Sequence, residues 1–139
     1  MAGGDDVPRI VLEGGLLMTA QSFGHFRELV HGSRDAPSIH DCVGQGDPEV
    51  QERLAAYLER GRNYAVSTSV VVDVLSEERV EIGRLATLTD GTWLWPTDLA
   101  HYVRRYNVSV PAEFVAHAAA LGWEPPEVTW EQIVAIRDA

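Results

Sequence analysis

The sequence predicts an α+β fold spanning 1–139 as one domain. Its expected architecture is a mostly antiparallel sheet of about five strands, an N-terminal hairpin plus a three-stranded meander, packed by about five helices. Three observations carry this. Side chains alternate with period two from Tyr64 to Leu75, an Asp-Gly pair separates two β-capable runs, and the last third shows apolar residues at helical spacing between caps.

The elements follow in chain order. Val7–Leu12 and Leu16–Thr19 are short apolar runs around Glu13-Gly14-Gly15, which reads as a hairpin. Ser22 is placed to cap a short helix with Phe26, Leu29 and Val30 on one face and Gly32 past its end. Ser33–Gly46 has no periodicity and reads as a long loop. Asp47-Pro48 then looks like a helix start, with Val50, Leu54, Tyr57 and Leu58 sharing a face and Gly61 as the stop.

From Tyr64 the pattern changes to strand. Val66, Thr68, Val70, Val72 and Val74 project to one side, with Ser67, Ser69, Val71, Asp73 and Leu75 on the other. Val80–Thr89 is the next strand, Asp90-Gly91 predicts a type I′ turn, and Thr92–Trp95 returns until Pro96 ends the ladder. Thr97 is expected to cap a helix carrying Leu99, Tyr102, Val103 and Tyr106, stopped by Asn107 in a left-handed conformation. Pro111 starts another helix that buries Phe114, Val115, Ala118 and Leu121. Thr129 and Gln132 have capping-box spacing for a last helix with Trp130, Ile133 and Val134.

Composition narrows the function. The chain has 21 acidic and 11 basic residues, a net charge of -10, and every basic residue is arginine. Such a surface repels phosphate backbones and anionic lipid, so neither nucleic acid nor membrane is an expected partner. The one cysteine, Cys42, permits no internal disulfide, and Met1–Asp6 resembles neither a secretory signal nor a transit peptide, so a cytoplasmic location is expected.

The densest group of reactive side chains is His25, His31, His40, Asp41 and Cys42. It lacks the paired ligand spacing of a zinc site, and six residues along a helix would point His25 and His31 in different directions. No metal and no cofactor is expected from it, and Cys42 reads as a small packed residue rather than a nucleophile. Gly44-Gln45-Gly46 precedes a helix start, yet Asp47 occupies the anion position and the lysine of a phosphate loop is missing. Asp73 and Glu81 could be drawn as an acid–base pair across strands; solvated strand-face carboxylates are the simpler reading. No catalytic residue is assigned, and the chain is expected not to be an enzyme.

Trp93 and Trp95 share one face of their strand. Inward they belong to the core; outward they form a ledge of the kind that anchors protein partners. Asp73, Glu77, Glu78, Glu81 and Asp90 belong to the same meander and gather negative charge there. These five acids with Trp93 and Trp95 are the candidate partner-binding residues.

The stretch Asp90-Gly91-Thr92-Trp93-Leu94-Trp95-Pro96-Thr97-Asp98-Leu99, continued by Tyr102-Val103 and Val110-Pro111-Ala112-Glu113-Phe114, follows a pattern of small bacterial proteins. In size, acidity and α+β outline these are similar to the immunity proteins of polymorphic toxin systems. The resemblance implies a cytoplasmic inhibitor that occludes a basic toxin, of nuclease or deaminase type, by contact and charge. It carries over no individual functional residue. Two other classes stand beside it. One is a small-molecule-binding protein or small enzyme with a pocket under the 33–46 loop, using His40, Asp41 or Cys42. The other is an interaction domain that forms a homodimer or higher oligomer.

Overall fold

The computed structural model describes residues 9–11 and 17–138. Strands β1 (Arg9–Val11) and β2 (Leu17–Thr19) pair antiparallel, with Ile10 opposite Met18. The turn expected at Glu13–Gly15 lies outside the described residues. A second, four-stranded sheet has the order β3-β6-β5-β4, formed by β3 (Gln21–Ser22), β4 (Arg62–Val72), β5 (Glu81–Thr89) and β6 (Trp93–Pro96). The β4–β5–β6 meander is antiparallel, and β3 adds to β6 in parallel. The fold is therefore α+β with a mixed four-stranded sheet, compatible with the mostly antiparallel sheet expected except for the parallel β3–β6 pair; the strands divide into two sheets instead of one of about five, because β1 and β2 pair only with each other.

Among the described residues four α-helices accompany the sheets: α1 (Gln51–Glu59), α2 (Leu99–Tyr106), α3 (Ala112–Ala120) and α4 (Trp130–Arg137). The fifth, expected after Ser22, does not form. Ser22 pairs in β3 instead, and residues 27–31 run in turns and bends. Phe26 and Leu29 still reach the core, whereas Val30, expected on the same face, is 80% exposed because the segment is not helical. Helix α1 begins at Gln51, later than Asp47-Pro48 suggested, because the Asp47 carboxylate caps the preceding turn through the Glu49 N–H.

Local signals elsewhere hold. Asn107 ends α2 in the left-handed region, and Thr129 with Gln132 makes a reciprocal capping box on α4. Thr97 does not cap α2. Its hydroxyl accepts from the Ala86 N–H and donates to the Arg84 carbonyl, tying the end of β6 to β5. At the β5–β6 turn only Gly91 has positive φ, so this is not the type I′ turn expected; the Asp90 side chain organises it by accepting from the Thr92 and Trp93 N–H groups. Leu121 and Trp130, expected to pack inward, are exposed.

The core is built on aromatic rings. Trp95, Tyr57 and Phe114 are fully buried, and Phe114 sits 5.4 Å from Trp95 and 4.6 Å from Phe23 between ring centroids. The chain passes from α1 to β4 directly beneath Trp95, where Gly61 leaves room for the indole. A Cβ at Gly61 would lie 2.6 Å from Trp95 Cζ2 and 3.0 Å from Leu88 Cβ. Gly61→Ala is therefore expected to destabilise by about 1–3 kcal/mol through overpacking, read as a lowered urea midpoint at unchanged m-value.

Candidate functional site

Among the described residues three aspartates lie inside the protein, Asp73, Asp90 and Asp98, each no more than 2% exposed. An isolated buried carboxylate is costly, so its partners show what it is for. Each meets a histidine Nε2 through Oδ2: His101 at 2.7 Å from Asp73, His117 at 2.9 Å from Asp90, and His31 at 2.8 Å from Asp98.

Asp73 and Asp90 share one design. Oδ1 organises a turn, accepting from the Leu75 and Ser76 N–H groups in the first case and from Thr92 and Trp93 in the second. Oδ2 accepts from the histidine and also from a tyrosine hydroxyl, Tyr106 at 2.8 Å for Asp73 and Tyr57 at 2.6 Å for Asp90. Burial, reinforced by the bond to Asp90, pushes the Tyr57 hydroxyl far above its ordinary range, so it remains a donor. Every lone-pair direction on these two carboxylates is used within the fold. They hold β4, β6 and helices α1, α2 and α3 in place and have no free atom for chemistry.

The charge on Asp73 links this arrangement to pH. Burial pushes its carboxyl up, but hydrogen bonds from His101, Tyr106 and the Leu75 N–H outweigh it and hold the group below its ordinary 3.8. In acid the unfolded chain then binds more protons than the folded one. The stability contributed is complete above about pH 4 and is lost as pH falls through the lowered folded value. Urea midpoints measured from pH 7 down to pH 2 should show an acid decline that is shallower in Asp73→Asn, which is also less stable at pH 7.

Asp98 is different. Oδ2 accepts from His31, while Oδ1 is buried without a hydrogen-bond partner among the described residues. His31 in turn contacts His25, Nδ1 to Nδ1 at 3.0 Å. His25 lines a cavity of about 720 Å³ together with Phe23, Phe26, Asp35, Cys42 and Val110. The 33–46 segment contributes Ser33, Asp35, Ala36, Pro37 and Cys42 to its lining. That segment is stitched down by the Glu28 carboxylate, which accepts from Ser38 Oγ and the Ile39 N–H, and by the Ser109 N–H bonding to the Cys42 carbonyl at 3.0 Å.

The residues proposed from sequence are thus divided. Glu77, Glu78 and Glu81 are exposed. Asp73, Asp90, Trp93 and Trp95 are buried, so they are not available to a partner as an acidic and aromatic ledge. Both faces of β6 are covered, Leu94 included, which removes the choice between an inward and an outward indole face. Asp73 and Glu81 do not form a pair; Glu81 is opposite Val72 and exposed, while Asp73 faces inward. Among the reactive cluster, His25 and His31 meet because no helix separates them, Cys42 borders the same cavity as His25, and His40 and Asp41 face solvent. No group of three or more metal-ligating side chains gathers among the described residues.

What the sequence missed are His101, His117, Tyr57, Tyr106 and Asp98. One signal was present: His101 and His117 each directly precede a buried residue of their helices, Tyr102 and Ala118. Comparison with protein-family models, with curated proteins and with solved structures found no match. No described helix is long and apolar enough to cross a membrane.

Proposed function

We propose that this protein is a non-enzymatic, cytoplasmic binding protein of the immunity type, which inhibits a basic toxin domain by covering it. One observation carries the reading: the β4–β5 hairpin presents exposed apolar side chains along its strands and, at its turn, exposed glutamates that have no ion pair among the described residues. Val66 is 60% exposed, Val70 52% and Val80 51%, while Glu77, Glu78 and Glu81 occupy the connecting turn and the start of β5. Elsewhere several acids are already neutralised, Glu52 and Glu59 by Arg104 and Glu124 by Arg60.

Strand β4 is an edge of its sheet, and its pairing with β5 is interrupted by register shifts, among them one between Val66 and Val70. Such irregularities discourage strand addition. The partner is therefore met by side chains, valines giving buried apolar contact and carboxylates meeting arginine or lysine. Exposed acids on other elements, such as Asp47, Glu113 and Glu131, extend the negative field and speed encounter with a cationic groove. The valines and the three glutamates take the place of the tryptophan ledge.

The test is co-expression with any toxin domain that the neighbouring genes encode. A complex that abolishes toxin activity is expected, and failure of any adjacent toxin domain to co-purify would overturn the reading. Replacing Glu77, Glu78 and Glu81 together by glutamine is expected to slow association about tenfold at low salt, the scale of electrostatic steering, with little change in folding. Stopped-flow association rates across a salt series check this. A dimer of this chain that resists dilution would assign the hairpin to self-association instead.

A further inference from the structure

The third histidine–aspartate pair leads somewhere the other two do not. A carboxylate only accepts hydrogen bonds, so His31 donates to Asp98 from Nε2. In the order that continues this donation, His31 Nδ1 accepts and His25 donates to it from Nδ1. That order leaves the lone pair of His25 Nε2 uncommitted. That nitrogen makes no hydrogen bond among the described residues, and its ring borders the cavity. Burial and the adjacent His31 hold the His25 imidazole below its ordinary pKa against the opposing pull of Asp98, so it is uncharged at neutral pH.

The cavity has a matching character. About 720 Å³ falls within the size range of small-molecule sites. Phe23, Phe26, Pro37 and Val110 give it apolar walls, Asp35 is a carboxylate on its border, and no arginine lines it. An anion would meet Asp35, a protein of net charge -10, and no counter-charge. An ammonium would find an imidazole acceptor, a carboxylate and aromatic rings, whose faces attract cations, among the lining residues.

We propose that this cavity binds a small primary amine with an apolar body, its ammonium donating to His25 Nε2 with Asp35 as counter-charge. The site is separate from the surface that meets a protein partner, since none of its lining residues comes from β4 or β5. Either assignment can fail alone.

Three probes of similar shape and different charge test it on the full chain by calorimetry at pH 7.5: phenethylamine, 2-phenylethanol and phenylacetate. Saturable binding is expected for the amine, weaker binding for the alcohol, and none for the carboxylate. Absence of saturable amine binding, or phenylacetate binding as tightly as the amine, overturns the proposal. Asp35→Asn alters an exposed residue and is expected to weaken the amine by about two- to fivefold, the range of an exposed ion pair, while leaving the alcohol unchanged; equal effects on both overturn the counter-charge role. His25→Phe should abolish amine binding. Independently of any variant, nitrogen NMR of the wild-type imidazoles should find His25 protonated on Nδ1 and bare on Nε2. The opposite tautomer would present an N–H to the cavity and exclude the ammonium.

Discussion

Replacing Asp90 by alanine is expected to destabilise the protein by about 3–5 kcal/mol, the cost of removing one partner from a buried ionic or strongly polar cluster. Four donors lose their acceptor at once: the Tyr57 hydroxyl, His117 Nε2 and the N–H groups of Thr92 and Trp93. They belong to α1, α3 and the β5–β6 turn, so the loss is shared across the core and not confined to the turn. Asp90→Asn separates the two halves of this role. Its amide oxygen can still accept from Thr92 and Trp93, while its NH₂ replaces the acceptor that Tyr57 and His117 used. A smaller loss, about 1–3 kcal/mol, is expected. Urea denaturation of the three proteins at pH 7 decides it; an alanine variant within 1 kcal/mol of wild type would show that the cluster is not a structural keystone.

Trp95→Ala should cost a similar amount, about 3–5 kcal/mol, as large-to-small changes of buried aromatic residues do. Trp95 is fully buried between Tyr57 and Phe114, with ring centroids 6.2 and 5.4 Å away. Its Nε1–H donates to the Leu58 carbonyl at 3.0 Å, one of the carbonyls left without a helical partner at the end of α1. The indole therefore fills the core and caps a helix. Trp95→Phe keeps much of the apolar contact but leaves that carbonyl unpaired, so about 1–3 kcal/mol of the loss should persist. Near-complete rescue by phenylalanine would show that packing alone matters at this position.

Both residues were legible in the sequence as members of a strong strand–turn–strand signal; Asp90 was assigned to a partner surface, while Trp95 was read either as core, which it is, or as part of a partner ledge. The reason lies in the period-two rule, which places Trp93 and Trp95 on a common face without saying whether that face, the opposite one or both will be covered. Here β3 and β5 flank β6 on its two edges and side chains cover both faces, so WLWP is buried throughout. Asp90 misled for a related reason. A carboxylate in a turn is ordinarily solvated, and the groups that permit its burial, Tyr57 and His117, lie 33 and 27 residues away in the chain. The glutamates at 77, 78 and 81 have no such distant partners and stayed exposed.

The Ser22–Gly32 segment shows the same division on a smaller scale. Phe26 and Leu29 have helical spacing and are indeed buried, yet parallel pairing of β3 with β6 takes Ser22 into the sheet and denies the helix its cap. The resulting irregular path is what lets His25 and His31 touch.

By itself the sequence determined the features that residues near one another in the chain can decide: the left-handed stop at Asn107, the capping box of Thr129 and Gln132, the β4–β5–β6 meander, and the acidic character of the surface. Tertiary structure alone decided which carboxylates face inward, that each of those meets a histidine, and that His25 opens on a cavity. Backbone dihedral preferences and capping hydrogen bonds act over a few residues and are written in local order. Burial of a charge depends on a compensating group brought from a distant segment, and only the packed chain brings it there.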